Sequence, residues 1–506
     1  MRLPWVLFAA AALVCFAAAQ FGIQPNDEGL MLQAAARIAD GQVPYRDFWW
    51  FYPPGQPLLL GGLWGLLGPS LLTWKVVRAL AAGAVALLAW RLARRGGAPP
   101  WAALAAWLAA TLALAYPSGP HPFPITLALC LGALLCLERP ALAGALTGVA
   151  AFWRLEFAAY LALGVLLAYA VRGGTARAAT RYAGAALAVA AVLFAPFVIL
   201  AGPGDAFELL IRYPALDFGD YQSLPFPLSY DGPLNTSSPG GFLSDSAEGL
   251  LLFYLPLALV LTLAGALVAL ALRFRREPRA GLSPYIAVAV FALGMLHYLL
   301  ARADLFHTAP LAVMAAVLAA WAAPALGRRG IAGAAAAVAA AGLAFALVEG
   351  LDRLWLVARD GGTPLDLPVA DGVRVPERTA RDYEAAVRAI RERVPPGEPI
   401  YVVPRRSDLV TAGNPLLYVL AGRPNPTRYD IQAPGVVTSA PVQREIVADL
   451  ERSRPRVVVR ETAPVTAAPE PNAAGRSSGV TLLDDRIARD YRETGRFGTL
   501  VVLERR

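Results

Sequence analysis

The feature that most constrains this fold is a series of long apolar stretches separated by polar loops. A helix needs about 20 residues to cross about 30 Å of hydrocarbon, and most of the stretches are long enough. With 57% hydrophobic and only 16% charged residues among 506, the chain is too apolar for an ordinary soluble protein. We therefore expect a polytopic α-helical membrane protein with about eleven transmembrane helices. The stretches are Leu3–Ala19, Leu71–Trp90, Trp101–Tyr116, Ile125–Leu137, Ala141–Trp153, Phe157–Val171, Tyr182–Ala201, Leu250–Leu272, Tyr285–Leu300, Ala309–Leu326 and Ile331–Val348.

The charges in the loops predict how these helices are oriented. One alternating set of loops is rich in arginine and nearly free of acidic residues, whereas the other set carries an acidic excess. Because short cytoplasmic loops collect basic residues, the N-terminus is predicted to be cytoplasmic and the C-terminal part extracytoplasmic. The net charge of +8 then reflects membrane topology and gives no argument for a nucleic-acid partner. A cleaved signal peptide ending near Ala17–Gln20 is the alternative interpretation of the first stretch.

The composition changes at about Gly350, which divides the chain into a transmembrane domain, 1–349, and a soluble α/β domain, 350–506. Three β-branched segments alternate with two helical patterns in this tail. Strand, helix, strand order predicts a small sheet covered by helices, on the extracytoplasmic side. The segments are 399–404, 454–461 and 498–505, and the helical faces carry Tyr383, Val387, Ile390 and Val394 in one and Val442, Ile446 and Leu450 in the other.

The first outer loop, 21–70, begins with the adjacent acidic residues Asp27 and Glu28. The segment GLMLQAAARIADG that follows has an apolar face, as expected for an amphipathic helix at the membrane interface. Six aromatic residues from Tyr45 to Tyr52 suit the headgroup level, and QPLLLGGLWGLLG is too short to span the membrane. The loop is thus predicted to follow the membrane surface and to hold the acidic pair just above it.

The stretch NDEGLMLQAAARIADGQVPYRDFWWFYPPGQPLL resembles the polyprenyl-phosphate-dependent glycosyltransferases of the GT-C class. That class includes protein mannosyltransferases and aminoarabinose transferases. The resemblance extends more loosely to GVAAFWRLE (Gly148–Glu156), to ARADLFHTAP (Ala301–Pro310) and to an outer C-terminal domain. It implies transfer of a hexosyl or pentosyl group from a polyprenyl-phosphate donor to an extracytoplasmic glycan, lipid or protein acceptor, with inversion at the anomeric carbon.

Such a reaction needs a carboxylate that takes the acceptor proton and positive charge that holds the departing phosphate. The resemblance places Asp27 at the base position, whereas Glu28 could steer the acceptor, tune the pKa of Asp27 or help to hold a cation. Arginine grips phosphate bidentately and is the best partner for it. The candidates for the donor phosphate are Arg302, His307, Arg154, Lys75 and Arg78, and those for substrate positioning are Asp304, Glu156, Tyr45, Arg46, Asp47 and Tyr52.

The cofactor requirement stays open at this point. Asp27, Glu28, Asp304 and His307 could assemble a divalent cation site in space, but no metal-binding spacing motif is present in the sequence. A lipid monophosphate can also leave without a bridging metal. The long outer loop Gly202–Gly249 is rich in aromatic and acidic residues and is expected to line the acceptor side.

Each candidate also has a purely structural interpretation. The acidic pair would be stabilised at a helix N-terminus by the dipole, and Arg154 with Glu156, or Arg302 with Asp304, could be local pairs that cap helices. Lys75 and Arg78 could extend to the lipid headgroups. Two other classes of protein remain alternatives: a lipid-glycan flippase or transporter, and a non-catalytic cell-envelope assembly protein. A transporter would favour internal repeats and charges at mid-membrane, and the sequence shows neither.

Overall fold

A bundle of apolar helices forms most of the chain. The structure, a computed structural model, describes residues 2–116, 119–172, 176–275, 279–328, 330–430, 435–463 and 470–506. The helices up to residue 360 are α1 (Arg2–Ala19), α2 (Asp27–Ala39), α3 (Gly55–Leu67), α4 (Leu71–Arg95), α5 (Pro100–Ala115), α6 (Phe123–Leu135), α7 (Pro140–Ala151), α8 (Leu155–Val171), α9 (Ala176–Ala201), α10 (Pro203–Phe207), α11 (Phe218–Gln222), α12 (Pro239–Asp245), α13 (Ala247–Phe274), α14 (Arg279–Ala301), α15 (Leu305–Ala322) and α16 (Ile331–Asp360), with a π-helix at Glu208–Asp217 and a 3₁₀ turn at Ala323–Ala325.

Every apolar stretch of the sequence corresponds, within a few residues at its ends, to one of these helices, namely α1, α4 to α9 and α13 to α16. In the described part of the chain, seven of them are long and apolar enough to cross a membrane: α1, α4, α9, α13, α14, α15 and α16. The other four, α5 to α8, are shorter apolar helices. The fold class, a polytopic helical membrane protein, is confirmed. The number of spans and the side on which each terminus lies stay predictions.

Small residues bring these helices close together. A Cβ atom added at Gly144 of α7 would lie 2.1 Å from the Tyr182 carbonyl oxygen of α9, and one added at Gly148 would lie 2.5 Å from that of Ala186. Backbones approach so closely only where side chains are absent, which is how helices pack in lipid, where the hydrophobic effect between helices is weak. The high Ala and Gly content of the apolar stretches therefore has a packing consequence.

The tail contains the expected sheet and helices. It comprises β1 (Thr363–Pro364), β2 (Arg374–Val375), α17 (Glu377–Arg393), β3 (Ile400–Pro404), α18 (Leu416–Ala421), α19 (Ala440–Ser453), β4 (Val457–Glu461), α20 (Leu482–Asp490), β5 (Tyr491–Phe497) and β6 (Leu500–Arg505), with a 3₁₀ turn at Pro368–Ala370. The main sheet has the order β3-β4-β6-β5, in which β3 and β4 are parallel and the other pairs antiparallel.

All three strands and both helices expected in the tail are present, whereas β5, α18 and α20 were not anticipated. On α17, Tyr383, Val387 and Ile390 are buried as the pattern required. On α19, Ile446 and Leu450 are buried as expected. Val442 is only half-buried, and the neighbouring Gln443 is buried instead. The composition boundary at 350 falls inside α16, which continues as one helix to Asp360.

The helix of the first loop differs from the interfacial helix that the sequence suggested. In α2, the segment from Glu28 to Ala35 is buried around the whole circumference, and so is Arg37. The tail covers the side expected to face water: a Cβ atom added at Gly29 would lie 2.1 Å from the backbone nitrogen of Leu416. The helix is therefore enclosed between α3 and the tail, because a domain far away in sequence packs on its polar face.

An ion pair fixes this packing. Arg37 donates to the Asp430 carboxylate from Nε at 2.6 Å and from Nη2 at 2.9 Å, and both side chains are less than a tenth exposed. The same guanidinium donates to the Thr427 carbonyl oxygen at 2.5 Å. A second attachment joins β2 to the end of α1, where the Arg374 amide donates to the Gln20 carbonyl at 2.8 Å. The tail is therefore bonded to the chain on both sides of the acidic pair, at Gln20 and at Arg37.

Candidate active site

The loops that carry the candidate residues meet at the end of the bundle that is covered by the tail. The Gly55 amide, after the aromatic segment, donates to the Phe152 carbonyl at 2.9 Å, which joins the first loop to the α7–α8 turn. A β-bridge pairs Leu224 with Arg302, so the long loop before α13 reaches the α14–α15 turn. These connections join four separate segments of sequence in two pairs. The charges of Arg302 and His307 act on Asp27, so the two pairs meet in one region, which we call the cleft.

Asp27 is the first residue of α2 and faces this cleft. It is exposed to solvent, yet protein surrounds it closely enough that burial is the main cause raising its pKa above the ordinary value. The Asn26 side chain donates to it at 3.0 Å, and the charges of Arg302 and His307 act against the increase in pKa. Among the described residues, Asp27 forms no salt bridge. The result is an accessible carboxylate of increased basicity, as a general base requires.

The second group lies in the α14–α15 turn, opposite Asp27. Asp304 caps α15: its Oδ1 accepts the His307 amide at 2.9 Å and contacts His307 Nδ1 at 2.7 Å. Its Oδ2 accepts from Arg302 Nε at 2.7 Å. Burial raises the pKa of Asp304, but the hydrogen bonds and charge of His307 and the charge of Arg302 outweigh it, so the pKa is lowered. The turn thus acts as a structural cap and also presents an arginine and an imidazole to the cleft.

Arg154 forms the third group, at the start of α8. Its Nε donates to Glu156 at 2.5 Å, and its guanidinium lies 5.0 Å from the ring centroid of Tyr298. Burial lowers the pKa of Arg154, but the charge of Glu156 outweighs it, so the pKa is raised and the group stays cationic. Burial is also the main cause that raises the pKa of Tyr52, on which the charges of Arg154 and Asp27 both act. The charges of both the arginine and the candidate base therefore reach Tyr52.

Glu28, Lys75 and Arg78 form contacts within the protein that leave them buried. Glu28 accepts the Trp74 indole N–H at 2.8 Å and the Gln24 amide at 2.9 Å. Lys75 is completely buried and donates to the Ala19 carbonyl. Arg78 donates to the carbonyls of Leu114 and Gly119, each at 3.0 Å, and is 3% exposed. These contacts join α4 to α2, to the end of α1 and to the α5–α6 turn. Lys75 and Arg78 are buried among the helices instead of extending outward from them.

Three further candidates from the first loop form contacts within that loop. Tyr45 is fully buried, with its hydroxyl donating to the Tyr52 carbonyl at 2.7 Å. Arg46 and Asp47 pair with each other at 2.7 Å on the surface. Of the residues in this loop that the sequence suggested for substrate positioning, Tyr52 is the one whose pKa is influenced by the charge of Asp27.

Three residues of the cleft were absent from the candidates. Tyr298 packs between Arg154 and His307, with its ring centroid 4.5 Å from that of the imidazole, and its position near the end of α14, four residues before Arg302, was the available signal. His121 packs edge-on against Phe306 at 3.8 Å, and burial lowers its pKa, an effect increased by Arg78 and Arg154. Glu470 reaches Arg302 from the tail, and no local pattern could have indicated it.

The side chains suggested for a divalent cation are not gathered into one group. Within the described ranges, no three His, Cys, Asp or Glu side chains come together as a metal site would require. Glu28 is directed to Trp74, while Asp304 is used by His307 and Arg302. What the cleft can do chemically rests on its carboxylate, its arginines and its imidazole.

Comparison with known proteins identifies the architecture. No protein-family model and no curated protein matches the chain. The crystal structure of ArnT from Cupriavidus metallidurans bound to undecaprenyl phosphate matches with a TM-score of 0.54 and 16% identity, over 99% of this chain and 97% of that one. Its apo crystal structure matches with a TM-score of 0.55 and 15% identity over the same shares. The chain therefore has, over almost its whole length, the fold of the aminoarabinose transferase ArnT, a GT-C fold as the acidic segment of the sequence indicated.

Proposed function

We propose that this protein is a membrane glycosyltransferase that moves a sugar from a polyprenyl-phosphate donor to an extracytoplasmic glycan, lipid or protein acceptor. The observation that carries the proposal is Asp27: an accessible carboxylate without an ion-pair partner among the described residues, facing the turn that carries Arg302 and His307. A neighbour of the same fold binds undecaprenyl phosphate, which supports a polyprenyl-phosphate partner for this cleft.

In the proposed reaction, an acceptor hydroxyl attacks the anomeric carbon on the face opposite the phosphate. The new bond to the acceptor oxygen forms as the bond from carbon to the phosphate oxygen breaks, and the configuration inverts. Asp27 takes the hydroxyl proton, and the raised pKa of its carboxyl makes it a stronger base than an ordinary aspartate. Tyr52 and Glu156 would orient the acceptor or the sugar, because the charges of Asp27, Arg154 and Glu156 all act on Tyr52.

Negative charge develops on the departing lipid phosphate, and positive groups must receive it. Arg302 and Arg154 are the proposed partners, since a guanidinium binds two phosphate oxygens at once. His307, held by Asp304 through Nδ1, would contribute its other ring nitrogen. Lys75 and Arg78 would act indirectly, because their contacts hold α4 against the end of α1, which precedes the acidic pair, and against the α5–α6 turn.

The test is transfer of radiolabelled sugar by the full-length protein in detergent, with a panel of polyprenyl-phosphate sugars and a membrane glycolipid extract. We expect Asp27→Asn to lower the rate by about 10²–10⁴-fold, the usual contribution of a general base. The matched control is Asp40→Asn, the same change at the exposed far end of α2. Full transfer by Asp27→Asn would refute the assigned base. Donor binding without transfer by the wild type would favour a flippase or an assembly protein.

A further inference from the structure

The guanidinium of Arg302 is already occupied by a carboxylate from the tail. Nη1 and Nη2 of Arg302 donate to the two carboxylate oxygens of Glu470 at 3.2 and 2.9 Å, across 168 residues of sequence. Both side chains are partly accessible, at 20% and 27% exposure. This bidentate contact connects the tail directly to one of the groups proposed to hold the donor phosphate.

A carboxylate and a phosphate present the same pair of oxygens to an arginine. The Nε of Arg302 is held by Asp304 at 2.7 Å, which fixes the plane of the guanidinium and directs its two terminal nitrogens toward Glu470. A lipid phosphate that binds Arg302 bidentately would need those same nitrogens. Glu470 and the phosphate therefore compete for one set of donors.

The charges around Arg302 also indicate that Glu470 and a phosphate exclude each other. Arg302 is bordered by two carboxylates, Asp304 and Glu470, so its single positive charge is already more than balanced. A phosphate approaching while Glu470 stays in place would add a third negative group beside one guanidinium. Since like charges at such distances repel, the phosphate can bind strongly only when Glu470 has moved away.

The attachment of Glu470 is partly exposed to solvent. Its carboxylate also accepts from Asn472 Nδ2 at 2.8 Å, and the same amide donates to the Ser223 carbonyl at 3.1 Å. These contacts lie at the surface and join short loops rather than the helical core. A phosphate offers the guanidinium the same pair of oxygens and carries at least as much negative charge, so it can displace this carboxylate.

We infer that Glu470 is an internal competitor of the donor: it occupies Arg302 while the lipid-phosphate site is empty and is displaced when the polyprenyl phosphate binds. The inference rests on the proposed function and adds a role for the tail in it. The tail then acts on the cleft directly, by keeping the arginine paired between turnovers and by opposing retention of the lipid phosphate after transfer.

The experiment is titration of the full-length protein in detergent with undecaprenyl phosphate, followed by tryptophan fluorescence. We expect Glu470→Gln, which keeps the shape of the side chain and removes its charge, to tighten binding by about three- to tenfold. The matched control is Glu398→Gln, the same change at an exposed tail position, which should bind like the wild type. In an Arg302→Gln background, Glu470→Gln should have no effect, because the shared partner is absent.

Unchanged or weaker binding by Glu470→Gln, with the wild type and Glu398→Gln binding normally, would overturn the inference and leave the proposed function intact. Weaker binding would make Glu470 a residue that positions Arg302. A tightening that persists without Arg302 would also overturn it, since the effect would then be nonspecific charge removal. Failure of every variant, including the wild type, to bind the lipid would refute the proposed donor site and this inference with it.

Discussion

The buried pair Arg37–Asp430 offers a test of whether the tail holds the acidic segment in place. Arg37 lies on α2, ten residues after Asp27, and Asp430 lies in the tail. Substituting Arg37 with Ala would remove two hydrogen bonds to the carboxylate, one to the Thr427 carbonyl and one to the Gln42 side chain. Asp430 would remain buried with a negative charge and only neutral donors.

Removing one partner of a buried ion pair costs about 3–5 kcal/mol, because the remaining charge is left without compensation. The amides of Gln33 and Asn425 still donate to Asp430, at 3.4 and 2.9 Å, which reduces the loss. We therefore expect Arg37→Ala to lower the free energy of unfolding of the tail by about 3 kcal/mol. For a domain of this size, that corresponds to a Tm lower by about 6–12 °C.

Thermal unfolding in detergent, followed by tryptophan fluorescence, measures this effect. The signal is suitable because the Trp49 amide donates to the Arg428 carbonyl of the tail at 2.9 Å, so undocking changes its surroundings. A double-mutant cycle isolates the pair: Arg37→Met with Asp430→Asn should cost about 2 kcal/mol less than the sum of the single changes. Single variants within about 0.5 kcal/mol of the wild type would show that the tail is not docked on α2 through this pair.

Two further outcomes follow from the same region. Because burial raises the pKa of Asp27 and a general base must be deprotonated, kcat/KM should fall as the pH is lowered through a value above 3.8, the ordinary value for Asp; an acidic limb at or below that value would contradict the assignment. Gly29→Ala should destabilise the docked tail by about 1–3 kcal/mol through overpacking against Leu416, whereas Gly62→Ala on α3 meets no neighbour within 4 Å. Equal melting temperatures for these two glycine variants would refute the close approach.

The arrangement gives the two adjacent acidic residues different environments. Asp27 faces the cleft, while Glu28 is 1% exposed and holds α4 through Trp74. Adjacent residues at a helix start point in directions about 100° apart, so one can serve the site and the other the fold. Glu28 therefore has a structural role, whereas the catalytic role of Asp27 stays a proposal.

The helical part of the fold could be read from the sequence because its physical cause is local. An apolar stretch in a membrane must satisfy its backbone hydrogen bonds within itself, so composition alone dictates helix. The tail strands Ile400–Pro404 and Val457–Glu461 were evident for a similar reason, since parallel strands buried on both faces are continuous apolar runs. Tyr491–Phe497 was missed because it is largely exposed and has no such pattern.

The sequence by itself determined that this chain is a membrane protein built of apolar helices with an α/β tail, and that Asp27, Arg302 and His307 were worth attention. Only the tertiary structure decided that α2 is enclosed by the tail, that Lys75 and Arg78 are buried in the support of the cleft, and that Glu470 holds Arg302. The reason is the distance in sequence over which each interaction acts. Hydrophobicity acts on each segment separately, whereas ion pairs such as Arg302–Glu470 depend on which distant segments the packed helices bring together.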